Sequence, residues 1–117
     1  MSKSVMIGLL VLLCGCSTGL GQEVQVAATI AFTEGPTADG EGNLFFTDQA
    51  NNRIMRLGTD GTLSTFRQPS NYANGMVFDA EWRLLACESG DAAAGTPPRV
   101  TRTDLKTGRV EGRAAER

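Results

Sequence analysis

Gly35-Pro36-Thr37-Ala38-Asp39 returns forty residues later as Gly75-Met76-Val77-Phe78-Asp79. At the same offset Leu44-Phe45-Phe46-Thr47-Asp48 falls on Leu84-Leu85-Ala86-Cys87-Glu88. Arg53-Ile54-Met55-Arg56 then falls on Arg99-Val100-Thr101-Arg102 at an offset of 46, and Gly61-Thr62-Leu63 on Gly108-Arg109-Val110 at 47. The drift has a visible source. The second copy carries an extra loop, Ser89 to Pro98 (SGDAAAGTPP), rich in Gly, Ala and Pro.

Each copy reads as four short strands. In the first they lie near Thr37 and at Leu44–Asp48, Arg53–Leu57 and Thr62–Arg67. In the second they are Met76–Phe78, Leu84–Glu88, Val100–Asp104 and Arg109–Glu111. These runs are too short, and too rich in β-branched and aromatic residues, for helices. Asp60-Gly61 predicts a hairpin with a type I′ turn, whose two central residues need positive φ. Four antiparallel strands in a 40–47 residue repeat is the period of a β-propeller blade. Two similar meanders in a small sandwich are the alternative. The shared Gly and Asp positions favour the propeller, because they mark equivalent turns that a sandwich does not require. The expected architecture is therefore all-β, with blade one at about 34–70 and blade two at about 71–112, within a partial propeller spanning 32–117. Residues 16–31 are expected to form a linker and a first strand. Propellers close with about 4–8 blades. Two blades predict the N-terminal third of something larger: a truncated or frame-shifted product, a fragment, or a protomer that builds its ring from several chains.

The chain of 117 residues is 41% hydrophobic and 21% charged, with a net charge of −2, which is a globular composition. A pI near 5.0 gives no basic face for nucleic acid. Histidine is absent, which removes the Ser-His-Asp triad, the Cys-His pair and His-ligated zinc. Chemistry must rest on carboxylates, amides, hydroxyls, Lys/Arg or an oxygen-ligated metal. The apolar run Val5–Leu13 behind Lys3 is too short for a bilayer span and reads as a secretory leader. Leu13-Cys14-Gly15-Cys16 resembles a bacterial lipobox. It makes 1–15 a lipoprotein-type signal peptide and Cys16 the lipid-attachment residue, with Cys14 an unusual occupant of its position. A plain secretory cut near Gly21 is the competing reading. Both place the protein outside the cytoplasm, in the cell envelope or periplasm, and the lipid anchor is its only expected membrane contact. Cys87 is then alone in the mature domain and is expected to be a buried, inert strand thiol.

The ordered motifs resemble a known family. Phe32-Thr33-Glu34-Gly35-Pro36, Leu44–Asp48 with Asn52–Arg56, Ser70–Met76, and Arg83–Glu88 with Arg99–Arg102 are similar in order and spacing to the senescence-marker-protein/gluconolactonase/regucalcin-like family. The resemblance implies a six-bladed propeller that holds one divalent cation, usually calcium, and hydrolyses sugar lactones. It implies Glu34 as a metal ligand and Asn74 as a residue of the substrate site, near the channel mouth. Asp48 and Asp79 are expected to be turn and strand-end hydrogen bonders. The family's later Asn and Asp ligands have no counterpart in this chain, so the chain alone is expected to be inactive. Trp82 stands where the family prefers a turn glycine. A non-catalytic envelope propeller module that binds a sugar or a protein partner is the alternative function.

Overall fold

The computed structural model describes residues 24–30 and 32–114. The leader and Cys16 lie outside the described residues. Eight strands follow in order: β1 (Thr33–Ala38), β2 (Leu44–Asp48), β3 (Arg53–Leu57), β4 (Leu63–Arg67), β5 (Ala73–Phe78), β6 (Arg83–Glu88), β7 (Arg99–Asp104) and β8 (Val110–Ala114). They form two four-stranded antiparallel sheets, β1-β2-β3-β4 and β5-β6-β7-β8, each paired only between consecutive strands. One 3₁₀ turn, Gln49–Asn51, is the sole helical element among the described residues. Residues 24–30 carry no strand, so the strand expected at the end of the linker begins only at Thr33.

The repeat in the sequence is a repeat of polar devices. Asp39 Oδ1 accepts the backbone N–H groups of Glu41 and Asn43, and Asp79 Oδ1 accepts those of Glu81 and Arg83. Both turns then need one residue at positive φ: Gly42 at +85° in the first, Trp82 at +57° in the second. The second strand of each sheet ends in an acid that pairs with the arginine opening the third, Asp48 with Arg53 and Glu88 with Arg99. The strand-end and turn roles expected of Asp48 and Asp79 are thus realised. The turn at Asp60-Gly61 differs from the expected type I′ form. Asp60 keeps a negative φ and only Gly61 is left-handed, at +82°. Its hydrogen bonds, Gly61 N–H to Gly58 O and Gly58 N–H to Thr62 O, close a three-residue loop, Thr59 to Gly61, that needs only one left-handed residue.

The core lies between the sheets. Phe45 and Ile54 from the first meet Ala73, Leu84 and Ala86 from the second. Phe45 packs edge-on against Phe66 and Phe78, with ring centroids 5.1 and 5.3 Å away. Strand alternation decides what happens to Cys87. In β6, Leu84, Ala86 and Glu88 are buried, while Cys87 is exposed on the opposite face. The expected buried thiol is therefore wrong. A fully apolar run reads as a strand covered on both faces, but among the described residues nothing packs on the far face of the second sheet.

Candidate functional site

The inner edges of the sheets, β1 and β5, run beside each other. Each carries one extra residue relative to its neighbour: Glu34 to Thr37 spans only Thr47 to Phe45, and Ala73 to Met76 spans only Glu88 to Ala86. Such bulges re-aim the chain at places where pairing alone would not. Glu34 and Asn74 are equivalent in the forty-residue repeat, each just before a glycine, but Glu34 still pairs with Thr47 ahead of its bulge while Asn74 lies inside its own. The glycine is required in the first. Gly35 has φ +56°, and a Cβ there would lie 2.1 Å from the Asn74 carbonyl oxygen. The Thr47 hydroxyl sits against both backbones, 3.0 Å from Glu34 O and 3.3 Å from Asn74 O.

The structure thus brings together the two residues that the sequence singled out. Both are half-buried, and among the described residues neither the Glu34 carboxylate nor the Asn74 amide has a hydrogen-bond partner. That leaves polar side chains on the innermost strands free for a ligand. They do not make a metal site by themselves. No group of three His, Cys, Asp or Glu side chains among the described residues could hold an ion. One carboxylate and one amide oxygen fall well short of the 6–8 oxygens that calcium takes.

A second polar centre was not foreseen. The Glu88 side chain is 0% exposed and takes Arg67 Nη2 at 2.6 Å and Thr101 Oγ1 at 2.7 Å on one oxygen. Its other oxygen takes Arg99 Nε at 2.7 Å and Asn71 Nδ2 at 3.0 Å. Burial pushes its pKa up, but the hydrogen bonds from Arg99, Thr101 and Asn71 and the Arg67 charge outweigh burial, and the carboxyl ends below its usual range. Arg67 comes from β4, so this pair ties one sheet to the other. Asn71 also donates to Pro97 O and accepts from Thr96, which pins the inserted loop. The offset linking Asp48 to Glu88 marks the acid in the sequence. Nothing local marks Arg67, because its partner is set only by the packing of the sheets.

Two adjacent meanders, each running from a bulged inner strand outward, with equivalent turns and ion pairs, settle the architecture. The two sheets are β-propeller blades. A gluconolactonase from Xanthomonas campestris superposes with a TM-score of 0.63 and 25% identity, over 75% of this chain and 28% of that one. A structural-genomics target designated a gluconolactonase superposes with a TM-score of 0.67 and 27% identity, over 80% of this chain and 31% of its own. Virginiamycin B lyase from Staphylococcus aureus, at 18% identity and a TM-score of 0.58, shares the fold. No family model and no curated protein sequence matches. The two blades span less than a third of the length of either gluconolactonase structure, and their resemblance to the gluconolactonase-like family holds at the level of the fold.

Proposed function

We propose that these blades supply the first part of a gluconolactonase-like site that hydrolyses sugar lactones, with Glu34 as a metal-directed ligand and Asn74 as a substrate-side hydrogen bonder. The observation that carries this reading is the placement of Glu34 and Asn74 beside each other at the bulged ends of adjoining inner strands, without side-chain partners among the described residues. The two gluconolactonase structures support it. A divalent cation, calcium by family resemblance, needs more oxygen donors than Glu34 and Asn74 supply. The reading therefore assigns no lactone hydrolysis to a single copy of the chain.

The test is a chimera in which residues 32–114 replace the first two blades of a gluconolactonase. Lactone opening, followed by acid release, is expected in the chimera and not in the chain alone. Glu34→Gln in the chimera is expected to lower kcat/KM by at least about 100-fold, or roughly 2.7 kcal/mol of transition-state stabilisation. A folded chimera whose Glu34→Gln form keeps full activity would remove Glu34 from the site.

A further inference from the structure

The turns that lead into β2 and β6 are equivalent but not alike. The first reads Asp39-Gly40-Glu41-Gly42-Asn43 and the second Asp79-Ala80-Glu81-Trp82-Arg83. Trp82 therefore holds φ +57° at a position that the first copy gives to glycine. A bulky side chain in the left-handed region is rare and strained, and such residues collect at sites that clamp a ligand. The Trp82 ring crosses to the first blade and lies on Gly40, where a Cβ would stand 2.9 Å from its Cε2. Phe78 supports it from its own blade, with ring centroids 6.1 Å apart. Held at these two places, Trp82 is still 54% exposed.

The ring forms part of the wall of a groove of about 730 Å³ between the two blades. Every side of the groove is made by these two blades, and it opens at the ends of β1 and β5 that lie away from Glu34 and Asn74. Phe66 and Leu105, packed against the core, give it an apolar floor. Glu41, Arg56 and Lys106 also line it, and among the described residues these three enter hydrogen bonds only through backbone atoms. Their charged ends are left for a ligand. The whole lining carries three cations against four carboxylates, so it favours a ligand with hydroxyl groups over one with a strong net charge.

We propose that this groove binds a neutral pyranose sugar stacked on Trp82. The axial C–H groups of a pyranose form a weakly positive face, which suits the negative face of an indole. Around the ring edge the Glu41 carboxylate accepts from sugar hydroxyls, and Arg56 and Lys106 donate to them. A fixed aromatic wall, an apolar floor and a few converging polar groups are what a small-molecule site requires. The indole arrives with its position already set by Gly40 and Phe78, so little freedom is lost when the sugar lands. The proposal rests on this groove and not on lactone chemistry, which belongs to the opposite end of the inner strands.

Trp82 is the one tryptophan in the chain, so its fluorescence reports on the groove directly. The experiment titrates the full chain with methyl glucoside, methyl galactoside and methyl mannoside, followed by fluorescence and by calorimetry. At least one of them is expected to shift the emission with a Kd of about 1 mM or tighter. Trp82→Gly is expected to weaken binding at least about tenfold by calorimetry. It should leave the circular dichroism unchanged, because glycine suits φ +57° at that turn. Gly40→Ala keeps every polar side chain of the groove but displaces the indole, and is expected to weaken binding several-fold and to shift the emission of the free protein. Glu34→Gln is expected to bind as the wild type does, which separates this groove from the inner-strand site. A panel with no binder, a Trp82→Gly chain of unchanged affinity, loss of binding in Glu34→Gln, or a groove that takes methyl glucuronide and none of the neutral sugars would each overturn the proposal.

Discussion

Replacing Glu88 by Gln tests whether a buried charge holds the blades together. The side chain keeps its volume and loses its charge. Arg99 is 38% exposed at its side chain and can turn to water, but Arg67 is only 16% exposed and its Nε already has no partner among the described residues. Removing one member of a buried pair while the other stays buried costs about 3–5 kcal/mol. A domain of this size is stable by roughly 0.05–0.15 kcal/mol per residue, about 4–13 kcal/mol in all, so the loss takes a large share. With a urea m-value of about 1–2 kcal/mol/M, the midpoint is expected to fall by about 2 M or more. The pH dependence has a definite sign. The folded-state pKa of Glu88 is lowered, so the stability it contributes is full above the unfolded value of about 4.3 and is lost as pH falls through the folded value. The gap between wild type and Glu88→Gln should therefore be widest near pH 7 and shrink below about pH 4. Urea titrations of both proteins at pH 7 and pH 3 measure it. A gap under about 1 kcal/mol at pH 7, or one unchanged at pH 3, would refute the idea that this carboxylate locks the sheets.

Asn52 holds φ +52°, and its Oδ1 accepts Ser70 N–H, Ser70 Oγ–H and Tyr72 N–H, which fixes the link between blades. Asn52→Ala is expected to lose about 2–3 kcal/mol in urea titration and Asn52→Asp less than about 1, because only the first removes the acceptor. Mass spectrometry of the protein from a bacterial envelope fraction is expected to find an acylated N-terminal Cys16, and an unmodified terminus at a later residue would leave plain secretion instead.

The fold was largely legible because its signal is local. The equivalent Asp39 and Asp79 turns, the acid–arginine strand ends and the eight strands all follow from residues close in sequence. Glu34 and Asn74 were singled out only through the family resemblance, and their adjacency on β1 and β5 follows from the packing of the sheets. What depended on packing was not legible. The left-handed turn at Trp82 shows in the sequence only through its place, where Gly42 stands in the first copy and where the resembled family prefers glycine. The Arg67–Glu88 tie spans 21 residues and two sheets. Cys87 sits in a run that reads as covered on both faces, whereas among the described residues nothing packs on its face of the sheet.

Each blade is finished from four consecutive strands before the next begins, and this sets an order of assembly on the ribosome. Every pairing within a sheet joins adjacent strands, so few contacts within a blade wait on distant sequence, and the loop-closure entropy of each step is small. The first sheet can close once Arg67 has emerged, while Glu88 is still inside the exit tunnel. During that interval the guanidinium destined for the interface remains hydrated beside the exposed Phe45 and Ile54. Docking of the second blade then desolvates all three in one step. The nascent chain is most open to wrong partners in that interval, when one blade is complete and the acid that its arginine awaits has not yet left the tunnel.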